Sequence, residues 1–159
     1  MKLFIKPALA ALLFSALLTT TALTACDNDD DEEDVTYSLS GTANGANERP
    51  NPVATTASGD ITGEYNSDTK QLSYTITWNG LKGSPVAMHF HGPAGVNDAA
   101  SPVVNITVPT GAGTTGTVSG TATLTTEQET QLLGGLWYYN IHTPQHTGGE
   151  IRGQVITTL

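Results

Sequence analysis

Residues 72–80, LSYTITWNG, decide the fold class of this chain. Leu72, Tyr74, Ile76 and Trp78 are large and apolar, and the residues between them are Ser or Thr. Because successive side chains of a β-strand point to opposite faces, this alternation predicts an antiparallel strand with one face in the core and a polar outer face.

Seven more segments carry strand signals, since they are rich in Val, Ile, Thr and Tyr and are separated by Gly or Pro. With the first strand, placed at 70–79, they are residues 35–43, 57–66, 85–91, 102–108, 114–124, 136–142 and 149–157. Eight short strands in a chain of 159 residues predict an all-β, antiparallel Greek-key β-sandwich or barrel.

One short helix is predicted near residues 126–134, within the stretch TTEQETQLLGG. Thr126 and Glu129 have the spacing of a capping box, in which two side chains satisfy free backbone N–H groups at the start of a helix. Gly134 and Gly135 are expected to end the helix, because glycine is common just after a helix C-terminus.

The first 25 residues have the pattern of a secretory signal. Lys2 and Lys6 precede an apolar stretch, and small residues lead to the sole cysteine in LTAC, residues 23–26. That tetrapeptide resembles the bacterial lipobox, whose cysteine becomes the lipidated first residue of the mature protein. We therefore expect Cys26 to carry lipid and to bind the membrane. The alternative is a plain signal peptide with an incidental cysteine.

The stretch after Cys26, DNDDDEED at residues 27–34, contains seven acids and no base. Such a run is expected to stay solvated, so residues 26–34 are predicted to tether a folded domain at 35–159 to the lipid. The run is either a plain spacer or a sorting signal, because it resembles signals that send lipoproteins to the cell surface in some Gram-negative bacteria. The expected location is the outer membrane of a bacterial envelope. If the acidic run is a sorting signal, the protein is displayed at the cell surface.

The charges argue against a nucleic-acid partner. The chain has 15 acids and six Lys or Arg, and only Arg49, Lys70, Lys82 and Arg152 follow the predicted signal peptide. These four bases are scattered along the sequence and form no basic run. A single cysteine also excludes an intramolecular disulfide, so stability must come from packing or from a metal.

The four histidines fall in two places, VAMHFHG at residues 86–92 and NIHTPQH at residues 140–146. In the first stretch, alternation places Met88 and Phe90 in the core and His89 and His91 on the opposite, outer face.

In the second stretch, the same rule places His142 on the outer face of its strand. Glu150 and Arg152 of the following strand are predicted to share that surface, and His146 is predicted to lie in the loop above it.

If the two histidine-bearing strands share one surface, three or four imidazoles converge. Imidazole-rich sites suit Cu or Zn, so His89, His91 and His142 are candidate ligands and His146 is an optional fourth. Arg152 would be a nearby cation that does not ligate. The alternative is that the histidines cap strand ends or bond to the backbone.

Several motifs resemble the CHRD domain family, which was first named from chordin. They occur in the order and approximate spacing of that family: LSGTANGANERPNPV, AMHFHGPAG, GTATLT, YYNIHT and GGEIRGQV. The resemblance spans about residues 37–157 and implies an extracellular or envelope domain. The partners of chordin are not carried over, because a fold does not carry its function with it.

A weaker resemblance is to Cu/Zn superoxide dismutase, which is also a Greek-key barrel and holds copper through a His-x-His strand pair and further histidines. It implies His89 and His91 as the pair, His142 or His146 as the later ligand, and Arg152 as a guiding cation. The chain departs from that family because it lacks the cysteine pair of the disulfide and the His and Asp cluster that holds zinc. At most, the resemblance implies a copper-only site.

Two functions follow from the sequence. The first is a lipid-anchored module that binds an envelope or extracellular protein, or a glycan, through its loops and Ser/Thr-rich strand faces. The second is a copper or zinc protein, which would be an enzyme only if its chemistry were dismutase-like. A hydrolase has little support, since there is no Gly-x-Ser-x-Gly motif, no cysteine nucleophile and no pair of acids with an evident site. Glu48, in ANERPNP, is interpreted as a turn residue rather than as a lone functional acid.

Overall fold

The computed structural model describes residues 35–159, and the predicted signal peptide, Cys26 and acidic tether lie outside them. The strands are β1 Thr36–Asn44, β2 Ser58–Asn66, β3 Gln71–Asn79, β4 Ala87–His91, β5 Pro102–Ile106, β6 Gly116–Thr123, β7 Tyr138–Thr143, β8 His146–Gln154 and β9 Ile156–Thr158. The α-helix α1 is Thr126–Leu133, and a 3-10 turn lies at Gly45–Asn47. Within residues 35–159, no helix has the length and apolar character needed to span a membrane.

The strands form one antiparallel sheet in the order β5-β4-β7-β8-β1-β2-β3-β6, with β9 also paired to β1. The sheet curls into a nearly closed barrel, so the predicted fold class is confirmed. The predicted strand 149–157 is two strands in the structure. The chain changes partner at the buried Val155, because β8 pairs mainly with β7 whereas β9 pairs with β1.

The alternation of β3 sorts its side chains as predicted. Leu72, Tyr74, Ile76 and Trp78 are all buried, and they belong to one hydrophobic core cluster. Two aromatic contacts extend this core from β3 to β4 and on to Trp137. Tyr74 meets Phe90 of β4 edge to face, with ring centroids 5.0 Å apart, and Phe90 lies 5.8 Å from the ring of Trp137. The face of β4 that carries Phe90 is therefore fixed by the core.

The helix is present where it is predicted, but its N-cap lies one residue earlier. Thr125 accepts a hydrogen bond from the backbone N–H of Gln128, and the Gln128 side chain accepts one from the Thr125 N–H. An N-cap needs extended backbone, which Thr125 has, so the predicted pair of Thr126 and Glu129 is wrong. Instead, Lys70 donates to Glu129 at 2.8 Å and so holds α1 against the start of β3.

Trp78→Ala is expected to lower the free energy of unfolding by about 3–5 kcal/mol. Trp78 is 2% exposed and its indole N–H donates to the Gly113 carbonyl at 3.0 Å, so truncation leaves a cavity and an unpaired acceptor. Urea denaturation measures the change. Thr77→Ala, on the exposed face of the same strand, is the control and should change the free energy by less than about 0.5 kcal/mol. A loss below about 1 kcal/mol for Trp78→Ala would mean that the side chain carries little of the core.

Candidate metal centre

Pairing of β4 with β7 brings the two histidine-bearing strands side by side. His142 lies opposite Ala87, and Asn140 lies opposite His89, so His89 and His142 are diagonal neighbours on one face. Their rings meet with centroids 5.0 Å apart, and His89 Nδ1 lies 3.2 Å from His142 Nε2. The strand order that the sequence left open therefore places both histidine pairs on the same surface.

Three imidazoles converge at this point. His91 lies two residues from His89 on the same strand face, with ring centroids 5.4 Å apart. One ring nitrogen from each of His89, His91 and His142 falls within 4.8 Å of the other two, a spacing that a single ion can span. The structure does not bring His146 into this group, since it stands at the start of β8 in the hairpin.

Backbone carbonyls fix the protonation of two of the rings. His91 Nδ1 lies 2.9 Å from the Ala100 carbonyl, and His142 Nδ1 lies 2.9 Å from the Thr147 carbonyl. A carbonyl only accepts, so each Nδ1 carries the proton and each Nε2 keeps a lone pair in the neutral ring. Metal-bound histidines usually have this arrangement, with the second ring nitrogen donating to the protein.

The remaining ring nitrogens form contacts within the cluster and with Asn140. His89 Nδ1 donates to His142 Nε2, because the Nδ1 of His142 is already used. His91 Nε2 lies 3.0 Å from Asn140 Oδ1. Because the single proton of a neutral His91 ring is on Nδ1, this pair is a hydrogen bond only when the Asn140 amide is turned so that its NH2 group donates to Nε2. An ion bound at His89 Nδ1 would require the proton of that ring to sit on Nε2 instead.

Burial lowers the pKa of all three histidines below its ordinary value. Positive charge on the neighbouring rings lowers the pKa of His89 and His91 further, with a smaller contribution from Arg152 at His91. The rings are therefore neutral at pH 7, which is the state that binds a metal. Because the folded pKa is depressed, the stability linked to these groups is present above pH 6.5 and is lost as the pH falls below it.

The face that carries the imidazoles is less open than the sequence indicates. Residues 92–101 fold over it, and His91 is only 6% exposed. The His91 ring stacks on the Tyr138 ring at a centroid distance of 4.7 Å. The Arg152 guanidinium lies 3.5 Å from the centre of the Tyr138 ring. The prediction that His89 and His91 point away from the core is correct, but residues 92–101 partly cover the surface on which they lie.

Arg152 and Glu150 are structural in this arrangement. Arg152 is 1% exposed and donates to the carbonyls of Gly95 and Asp98, so it holds residues 92–101 in place. Glu150 is fully buried and accepts hydrogen bonds from Thr55, Thr143 and the Lys82 N–H. The expectation that Glu150 shares an open surface with His142 is therefore wrong, because its carboxylate is bound within the fold.

The folded domain matches a known protein family. The family model for the CHRD domain matches residues 39–155, from within β1 to the residue after β8. The chain belongs to the CHRD family. Comparisons with curated proteins and with solved structures found no significant match. The CHRD resemblance of the sequence motifs is thus confirmed, whereas the dismutase resemblance stays a prediction.

The burial of Glu48 in the CHRD domain was not predicted from the sequence. Glu48, interpreted from the sequence as a turn residue, is 3% exposed, and its Oε1 has no hydrogen-bond partner. Burial raises the pKa of Glu48 to about 7, although the charge of Arg152 lowers it. The carboxylate fits because residue 149 is glycine, where a Cβ would lie 2.4 Å from Glu48 Oε1. The signal for this contact is Gly149 in the GGEIRG motif, not the composition around Glu48.

Glu48→Gln is expected to stabilise the CHRD domain at alkaline pH. The folded pKa of about 7 exceeds the ordinary 4.5, so the stability linked to Glu48 is present below pH 4.5 and is lost as the pH rises through 7. The variant removes this loss, so its free energy of unfolding should exceed that of the wild type at pH 8 by up to about 3 kcal/mol.

Urea denaturation at pH 4.5 and pH 8 measures this difference, which should be small at the lower pH. Glu64→Gln, at an exposed position of β2, is the control and should show no such dependence. Equal stability of Glu48→Gln and wild type at pH 8 would show that the carboxylate is not penalised by burial.

Proposed function

We propose that this protein is a lipid-anchored lipoprotein of a bacterial outer membrane whose CHRD domain is a binding module. Its expected partners are an envelope or extracellular protein, or a glycan, and the cell surface is the expected site of binding. The lipid on Cys26 is the expected membrane contact. The observation that carries the binding role is the composition of one sheet face.

The outward side chains of β1, β2, β3 and β6 form a nearly uniform hydroxyl surface, which we name the hydroxyl face. Sixteen outward positions pair in four rows across these strands, and twelve of them are Ser or Thr. The rows are Thr42–Asp60–Thr77–Thr117, Ser40–Thr62–Thr75–Ser119, Ser38–Glu64–Ser73–Thr121 and Thr36–Asn66–Gln71–Thr123. All sixteen side chains are exposed or half-buried, and none is basic, aromatic or aliphatic.

This composition suits contact rather than catalysis. A regular array of hydroxyls offers many donors and acceptors but no nucleophile beside a base. The lack of Lys and Arg on this face also disfavours a nucleic-acid partner, since phosphate contacts need cations.

In-cell photo-crosslinking tests the anchor and the module together. A photoreactive residue placed at Thr117, on the hydroxyl face of the full-length protein, is expected to form an adduct with an envelope component in intact cells. Cys26→Ser should remove both the adduct and recovery in the membrane fraction, because the lipid holds the module at the envelope.

The matched position for the crosslink is Glu127, an exposed residue of α1 that is not one of the sixteen positions of the hydroxyl face. Equal adducts from Glu127 and Thr117 would contradict a specific module. Normal processing and membrane recovery of Cys26→Ser would contradict the lipid anchor.

A second candidate function, binding of Cu(II) or Zn(II), is favoured by the three converging imidazoles. Two of their Nε2 atoms are directed by carbonyl-held Nδ1–H groups, and their lowered pKa keeps them neutral. A bound ion would supply Lewis-acid or redox chemistry, and His89, His91 and His142 would hold it. No reaction is proposed at this site. Arg152, the cation that dismutase-like chemistry would need nearby, is buried and bonded to two carbonyls.

His89→Ala is expected to abolish saturable Cu(II) or Zn(II) binding in calorimetric titration of the metal-free, full-length protein. His146→Ala is the matched control and should bind as the wild type does, because His146 is outside the cluster. Affinity should fall as the pH drops below about 6.5, since protons compete for the imidazoles. A dissociation constant weaker than about 10 μM for the wild type, or unchanged binding by His89→Ala, would contradict the metal centre.

A further inference from the structure

The hydroxyl face contains a groove of about 440 Å³ that crosses its central strands. Five hydroxyl side chains line it, from Thr62, Ser73, Thr75, Ser119 and Thr121. The same groove is lined by the backbone at Gly63, Tyr74 and Gly120, which pair with one another across β2, β3 and β6. The groove therefore runs perpendicular to the strands, between two rows of hydroxyls.

No side chain rises from the floor of this groove. Gly63, Tyr74 and Gly120 all stand at core-facing positions of their strands: the Tyr74 ring packs on Phe90, and a Cβ at Gly120 would meet the Tyr74 hydroxyl. The two rows of hydroxyls are about 7 Å apart, because they are two residues apart along each strand, and within a row the strands are about 4.8 Å apart. The result is an open, straight channel with hydroxyls repeated at regular spacing on both sides.

The chemistry of the channel is neutral and hydrogen-bonding. Thr75 and Ser119 already share a hydrogen bond of 2.8 Å, so their hydroxyls have a fixed relation to each other and keep further lone pairs for a ligand. Asp60 and Glu64, the two acids of the hydroxyl face, belong to β2, between β1 and β3; neither lines the groove, although Glu64 stands opposite Ser73 at its margin. The side chains that line the groove are all uncharged, which favours an uncharged ligand.

We propose that this groove binds a linear segment of a neutral polysaccharide. The inference rests on the proposed binding module and names its partner. Sugar hydroxyls donate and accept as the Ser and Thr hydroxyls do, so a polysaccharide laid across the strands exchanges hydrogen bonds with water for equivalent ones with the groove. An extended chain fits because the groove continues over three strands rather than closing around one residue.

A protein partner fits this groove less well. Protein interfaces have a buried centre enriched in aromatic residues, Met and Arg, and none of the sixteen positions of the hydroxyl face carries such a side chain. Anionic polysaccharides are disfavoured as well, because the face carries two acids and no base. Of the protein and glycan partners expected of the module, a neutral glycan fits both observations.

Affinity electrophoresis of the full-length protein tests the proposal. Native gels contain dextran, laminarin or galactomannan as neutral probes and alginate as the anionic probe. At least one neutral probe is expected to retard the wild type, whereas alginate should not. Thr75→Val with Ser119→Ala removes two hydroxyls from the groove and keeps strand-compatible side chains, so we expect at least a tenfold weaker retardation.

The matched control is Thr36→Val, which removes a hydroxyl from a corner of the same face outside the groove and should leave retardation unchanged. A Ser119→Tyr variant fills the groove without removing the fold's core contacts and should also abolish retardation. Thermal melting by circular dichroism verifies that each variant is folded.

Two outcomes would overturn the proposal: no neutral probe retards the wild type, or the double variant is retarded as strongly as the wild type. These outcomes are separable from failure of the binding module. A Thr117 adduct in cells that proves to be a protein, together with no retardation by any polysaccharide, refutes the glycan and keeps the module. Absence of both signals refutes both.

Discussion

The pairing of β4 with β7 is the interaction on which the rest of this structure depends. Its register sets Phe90 opposite Tyr139 and His89 opposite Asn140. Because side chains alternate along a strand, this one pairing builds the aromatic core on one face and the imidazole cluster on the other. A slip of one residue would exchange the two faces, so the histidine cluster is as strictly specified as the core itself.

Properties that depend on a single strand could be predicted from the sequence. The alternation within β3 and β4 is local, so it identified the buried faces of Trp78 and Phe90 and the outward direction of His89 and His91. Strand order is not local, because β7 reaches β4 across an intervening stretch that contains β5, β6 and α1. The proximity of His142 to His89 therefore depended on a pairing that periodicity does not encode.

Burial by loops was the part that the sequence could not reveal. Loop residues have no periodicity, so nothing around Glu48 distinguishes a buried carboxylate from an exposed turn. Its burial depends on the space left by Gly149, about a hundred residues away along the chain. Arg152 is similar, since the carbonyls of Gly95 and Asp98 that receive its donors belong to a segment without regular structure.

Residues 92–101 are attached to the sheet at two side chains, Arg152 and His91, so the loop connects the buried cation to the imidazole cluster. Its Gly95 and Asp98 carbonyls accept from Arg152, and its Ala100 carbonyl accepts from His91 Nδ1. Positive charge gained at His91 Nε2, from a proton or an ion, makes Nδ1–H a stronger donor and so tightens the loop at Ala100. Local opening of this loop and occupancy of the imidazoles are therefore reciprocal equilibria, since whatever biases one must bias the other by the same free energy.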